Sequence, residues 1–194
     1  MPVREIPVRK RFFVNKIAKT IKEDLIDKNS DLNFLQTVSI GNINLMPSPE
    51  TLSHRDIALE YLPAVYIMPN DVLNTTVNAN KSISSGRYSF LLRYVHYFDV
   101  NDTTNVMEKA IEGAELVAET LLQDHNLVPT NSGTEYVELQ DNDGKPIGHI
   151  LNTEVHRIEF NTIDSEVFRE LKIPIILIDI DYEVVFRSLF DKGV

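Results

Sequence analysis

The chain has 194 residues, of which 43% are apolar and 25% are charged, so it is long enough to bury the core of one domain. The absence of cysteine excludes disulfides, thiolate metal sites and a cysteine nucleophile. A net charge of −10 disfavours general binding to nucleic-acid phosphate. No apolar run approaches the roughly 20 residues of a membrane span, and residues 1–11 lack the apolar region of a signal peptide. We therefore expect a protein that binds no membrane and is assembled in the cytoplasm.

The N-terminal region is basic, with eight Lys or Arg and four Asp or Glu in residues 1–28. Prolines at positions 2 and 7 indicate an extended arm over residues 1–8. An apolar residue at every fourth position then predicts an amphipathic helix over residues 9–28: Phe13, Ile17, Ile21 and Leu25. The first basic residues of this helix, Arg9, Lys10 and Arg11, are candidates for a subunit contact, although such charges more often form a solvated helix face.

Three strands are predicted in the next part of the chain. A weak strand covers residues 34–40. Within the segment Leu62 to Pro69, the apolar run Ala64 to Met68 is a second strand, because Pro63 and Pro69 bound it. The third, Gly86 to Val100, alternates in polarity. One of its faces should meet the core: Tyr88, Phe90, Leu92, Tyr94, His96 and Phe98. An aromatic face of this kind more often belongs to a core than to a cofactor or base-stacking site.

Residues 70–85 are rich in Asn, Ser and Thr and have no helical period. This composition and length predict a mobile loop that becomes ordered against a partner. The candidate partner-binding residues of the loop are Asn70, Asn74, Asn78, Asn80 and Lys81.

A second amphipathic helix is predicted from about residue 105 to about residue 123. Asn105 and Glu108 have the spacing of a capping box, and Gly113 would suit a close approach to the sheet. An inserted hairpin over residues 135–152, a separate strand over 155–160 and a long strand over 173–186 complete the chain. The last strand should bend or project beyond the domain. The sequence therefore predicts one α+β domain, a mixed but mostly antiparallel sheet with two amphipathic helices packed on one face.

The best candidate for chemistry is an acidic row on the last strand, Asp179, Asp181 and Glu183, which share one strand face at period two. Such a row would suit a Mg²⁺-dependent phosphoryl-transfer enzyme, but no lysine follows on the same strand. We favour a solvated or inter-subunit acidic face.

Other candidate sites are weaker. Residues 53–56 contain Ser, His and Asp, but neighbours in sequence rarely form a triad. His149 and His156 lack a clear third metal ligand, and residues 141–152 have Pro146 and Asn152 where a calcium loop needs Gly and Glu. We expect no enzymatic activity, no cofactor and no metal.

The order of elements, with residues 63–67 and 102–122 as its best local pieces, resembles the tail terminator and tail completion proteins of long-tailed bacteriophages and related contractile particles. The resemblance implies a virion subunit, assembled in the host cytoplasm, that forms a homo-oligomeric ring, typically a hexamer. Such a ring caps the tail tube, ends tail elongation and joins the head connector or neck proteins. DNA would pass through without specific binding, because an acidic lining repels phosphate.

Two alternatives stay open. A head-completion or neck connector protein would also form a ring but would dock elsewhere in the particle. The enzyme that uses Asp179, Asp181 and Glu183 is the alternative from a different class. The inserted hairpin and the long loop of this chain depart from the simplest tail terminators.

Overall fold

The computed structural model describes residues 10–28, 35–41, 61–77, 83–97, 103–124, 127, 137–140, 144, 146–161 and 175–189. This part of the chain forms one sheet of six strands and two main helices. The helices are α1 (Lys10–Ile21) and α2 (Thr103–Gln123). The strands are β1 (Thr37–Ile40), β2 (Ala64–Val77), β3 (Ile83–Tyr97), β4 (Val137–Gln140), β5 (Pro146–Asn161) and β6 (Ile175–Leu189).

The strand order across the sheet is β1-β2-β3-β6-β5-β4. Within the described ranges, β1 and β2 are the parallel pair, and the other four neighbouring pairs are antiparallel. The predicted α+β class with a mixed, mostly antiparallel sheet is therefore confirmed.

Both helices pack on one face of the sheet, which we call the helix face. α1 continues as a π-helical turn, Lys22–Asp27, whose Leu25 is also buried. The shared core includes Phe13, Ile17 and Ile21 of α1, Ala110, Ala114, Val117 and Leu121 of α2, and Phe90, Leu92, Tyr94, Ile178, Ile180 and Tyr182 of the sheet. Every fourth residue of α1 is buried, as predicted, because that spacing places apolar side chains along one helix face.

Gly113 allows α2 to approach the sheet closely. A Cβ atom at this position would lie 2.2 Å from the hydroxyl oxygen of Tyr94, and Tyr94 is fully buried. The prediction that this glycine serves close packing is confirmed, since its cost in helix propensity is offset by contact with the sheet.

The prediction of a loop over residues 70–85 is wrong for most of that range. Residues 70–77 belong to β2 and residues 83–85 to β3, and the two strands pair as far as Val77 and Ser84. Irregularities between Pro69 and Val72 and between Leu73 and Thr76 accommodate the proline and the polar residues. Cross-strand pairing thus overrides a composition that locally favours a loop.

The C-terminal strands also differ from the prediction. The second strand of the inserted hairpin and the separate strand over 155–160 are one strand, β5. β6 does not project, because β3 pairs with it from Ile175 to Leu189 and β5 pairs with it on its other side. A central strand that is paired on both sides over most of its length satisfies most of its backbone hydrogen bonds within the sheet.

Candidate functional site

The face of the sheet opposite the helices carries ionisable side chains on three of the six strands: β3, β6 and β5. We call this the charged face and define it by nine residues: Arg87, Arg93, Glu154, His156, Arg157, Glu159, Asp179, Asp181 and Glu183. The acidic row of β6 lies at its centre, on one face as predicted. Each acid has a charged neighbour on an adjacent strand.

Asp179 is held most firmly. The Arg93 side chain donates from Nε to Oδ1 at 2.7 Å and from Nη2 to Oδ2 at 2.8 Å, which is a bidentate pair. Asn161 donates from Nδ2 to Oδ2 at 2.9 Å. The side chains of Arg93 and Asp179 are 24% and 11% exposed, so water competes little for these contacts. The hydrogen bond to Asp179 raises the pKa of Arg93, which stays charged.

The other two acids of the row are also paired. Arg157 Nε lies 3.4 Å from Asp181 Oδ2, and its Nη2 lies 2.8 Å from Glu159 Oε2. Arg87 Nη1 lies 3.3 Å from Oε1 of Glu183, whose side chain is only 7% exposed. Three arginines therefore neutralise much of the row.

A bulge in β5 brings His156 to the charged face. Val155 pairs with Tyr182 and Arg157 with Asp181, which leaves His156 as the extra residue. Its ring lies between two carboxylates, with Nε2 3.7 Å from Glu183 Oε1 and Nδ1 3.9 Å from Glu154 Oε2.

Glu154, His156 and Glu183 have the ligand types of a metal site, and one ligand atom from each lies within 4.8 Å of the others. However, the Arg87 guanidinium already supplies a cation 3.3 Å from Glu183. The local geometry is that of an ion-pair cluster.

Of the two predictions for the acidic row, a solvated face or an inter-subunit face, the solvated face does not describe Asp179 and Glu183. As whole residues, backbone included, Asp179 and Glu183 are only 9% and 5% exposed, and Asp181 is half-buried. The physical reason is desolvation, because carboxylates at these positions need cationic partners. Their role in a channel or between subunits stays a prediction, and the arginines reduce the charge that such a surface would present.

The remaining predicted site residues are less informative. Lys10 and Arg11 begin α1, whereas Arg9 lies outside the described residues. Asn70 and Asn74 lie in β2. Asn78, Asn80 and Lys81 lie outside the described ranges, as do residues 53–56. The subunit contact and the partner-binding role of these residues stay predictions.

His96 of β3 is half-buried and follows Tyr94 on the helix face of that strand. Its Nδ1 donates to the carbonyl oxygen of Tyr97 at 2.7 Å. Burial lowers its pKa, the hydrogen bond raises it in part, and the charge of Lys109 lowers it further. His96 therefore lies only partly within the predicted core face, and one of its ring nitrogens is hydrogen-bonded.

The sequence does not predict that Arg87 and Arg93 pair with the acidic row. Both fall on the non-core face of the alternating strand β3, which is a visible signal. Arg87 pairs with Glu183, 96 residues away in the sequence, and Arg93 pairs with Asp179, 86 residues away. Only the register of β3 against β6 brings these groups together.

Comparison with known proteins identifies no family for this chain. No protein-family model matches the chain, and no curated protein matches it. Among solved structures, the chain is similar to one described as "Virion of native gene transfer agent (GTA) particle", with a TM-score of 0.45 and 9% identity. The similarity covers 88% of this chain and 91% of that chain, and it carries no functional assignment. In the described part of the chain, no helix is long and apolar enough to cross a membrane.

Proposed function

We propose that this chain is a structural virion subunit that forms a ring at the end of a tail tube, where it ends tail elongation and joins the head connector. The main support for the proposal is that the sheet has two open edges. In the described part of the chain the six strands form an open sheet, with β1 at one edge and, at the other, β4 together with the part of β5 that β4 leaves unpaired. An open sheet with two different edges suits head-to-tail assembly of identical subunits, which closes into a ring when the rotation permits.

The contacts of the acidic row support a structural role over the metal-dependent enzyme. Both oxygens of Asp179 accept hydrogen bonds from Arg93, and one also accepts from Asn161. Glu183 Oε1 has Arg87 and His156 as neighbours. A magnesium ion prefers carboxylate oxygens that are free to complete an octahedral shell, so bound guanidinium groups oppose its entry.

Net charge supports the passage of DNA. The chain carries −10, and repulsion between an acidic protein and phosphate lets a duplex move through a ring without sticking.

The test is disruption of the gene in cells that produce the particle, followed by electron microscopy. A tail terminator predicts tails of uncontrolled length that lack heads, and normal tails on reintroducing the intact gene. Tails of normal length beside unjoined heads would instead identify a head-completion protein. Magnesium-dependent phosphoryl transfer that Asp181→Asn abolishes would overturn the structural assignment.

A further inference from the structure

Large apolar side chains are exposed at both edges of the sheet. Four are exposed among the described residues: Ile40 (44%), Leu122 (39%), Ile158 (38%) and Phe160 (44%). Ile40 ends β1 at one edge, and Ile158 and Phe160 lie on β5 near the other. Three of the four therefore lie at the sheet edges.

The register connects these residues across the sheet. One apolar row on the helix face runs through Ile40, Ile67, Leu92, Ile180 and Ile158. A second row runs through Val38, Val65, Tyr94, Ile178 and Phe160. The interior members of both rows are buried in the core, and only their outer ends reach solvent. Each row therefore ends in an apolar side chain at both edges of the sheet: Ile40 and Ile158 end the first row, and Val38 and Phe160 end the second.

Within the described residues, no strand pairs with the outer side of β1 or with the outer side of β5 after Ile150. β4 pairs with β5 from Pro146 to Ile150 and leaves residues 152–161 with β6 alone. β1 pairs with β2 on one side, and its sequence TVSI has neither a charge nor a proline. Edge strands are normally protected by lysine, proline or a covering element.

We propose that β5 of one copy pairs with β1 of a second copy of this chain. Within one sheet, β1 runs antiparallel to β5. If the second copy continues the sheet, its β1 therefore forms an antiparallel pair with β5, as β6 does on the other side of β5. Continuing the register places Ile158 beside the partner copy's Ile40 position and Phe160 beside its Val38 position. The apolar rows then run without interruption from one subunit to the next.

The opposite face is compatible with the same register. Glu159 and Asn161 of β5 would lie opposite the Ser39 and Thr37 positions of the second copy. Hydroxyl groups can donate to a carboxylate or an amide oxygen, so no like charges meet at the junction. The interface joins two different edges and is therefore head-to-tail. This inference rests on the proposed ring and specifies how its subunits meet.

Disulfide trapping tests the register directly, because the natural chain has no cysteine. The double variant Ser39→Cys, Glu159→Cys should form a ladder of linked chains under mild oxidation, since directly opposed strand residues have Cα atoms at disulfide distance. An equimolar mixture of the two single variants should give a linked dimer. Each single variant alone should stay unlinked, and a linked single variant would indicate a two-fold contact and overturn the proposal.

The matched control is Ser39→Cys with Glu154→Cys. Glu154 lies on the same face of β5 as Glu159. It pairs with Glu183 and Glu159 pairs with Asp179, four positions apart on β6, which is roughly 13 Å at about 3.3 Å per residue. The control pair should therefore link at least tenfold more slowly. Equal rates for both pairs would contradict a defined register.

A second measurement separates this inference from the proposed function. Ile158→Lys should raise the dissociation constant of the assembly about tenfold or more, because it charges an apolar junction. Leu122→Lys changes an equally exposed side chain on α2 and should alter it by less than about twofold. Circular dichroism checks the fold of both variants. A ring that forms equally well with Ile158→Lys and gives no Ser39–Glu159 link would overturn the edge pairing and leave the ring intact. A chain that stays monomeric at millimolar concentration would overturn both.

Discussion

The two faces of the central strands are stabilised by different physics. On the helix face, neighbouring strands place Leu92 beside Ile180, and both are fully buried by the helices. On the charged face, the next pair of opposed residues, Arg93 and Asp179, is hydrogen-bonded. Leu92 and Ile180 gain free energy from the removal of apolar area from water, whereas Arg93 and Asp179 mainly avoid the cost of unpaired buried charge. Substitutions on one strand can therefore compare the two faces at constant backbone geometry.

The largest effect is expected on the helix face. Leu92→Ala should lower the free energy of unfolding by about 2–5 kcal/mol, because it leaves a cavity in the core. Leu91→Ala is the matched control on the other face of the same strand, where the side chain is half-buried, and it should cost about 1 kcal/mol. Urea unfolding followed by circular dichroism measures both. Equal losses would show that the two faces do not differ in packing.

The next effect concerns the charged face. Arg93→Met should destabilise the fold by about 1–3 kcal/mol, less than for a fully buried pair because the Arg93 side chain is 24% exposed. Arg157→Met removes the charge of a side chain that is 61% exposed and should cost less than about 1 kcal/mol. A double-mutant cycle with Asp179→Asn measures the coupling between Arg93 and Asp179. Coupling near zero would contradict the bidentate pair.

Gly113→Ala tests how closely the helix face is packed. The added methyl group would meet the buried Tyr94 hydroxyl, and overpacking of about 1–3 kcal/mol should exceed the gain of about 1 kcal/mol in helix propensity. We expect a net loss of up to about 2 kcal/mol in urea unfolding. Glu112→Ala, at the neighbouring exposed position, should change stability by less than about 0.5 kcal/mol. A more stable Gly113→Ala protein would rule out the close contact.

The smallest effect is a pH dependence from His96. Burial lowers its pKa below the usual 6.5, so the unfolded chain takes up a proton before the folded one does. The contribution of His96 to stability is therefore complete above about pH 6.5 and declines as the pH falls toward the lowered folded value. Urea midpoints at pH 7.5 and pH 5.5 should differ less in His96→Asn than in the natural chain. An unchanged difference would assign the pH dependence to other groups.

The comparison of the faces also explains what the sequence can predict. The helix face follows from local periodicity, since Phe13 and Ile17 of α1 and Phe90 and Leu92 of β3 repeat at the spacing of their own element. The charged face depends on long-range register, because Arg93 and Asp179 are 86 residues apart. The same limit applies to residues 70–77, where pairing with β3 determines a strand in spite of a loop-like composition.

The most direct test of the account is native mass spectrometry of the full chain over a range of concentrations. The account predicts a single closed oligomer of defined stoichiometry that dissociates to monomers without stable two-fold dimers, because head-to-tail edges leave no isologous contact. A monomer that persists at the highest concentration, or a two-fold dimer as the largest species, would contradict it.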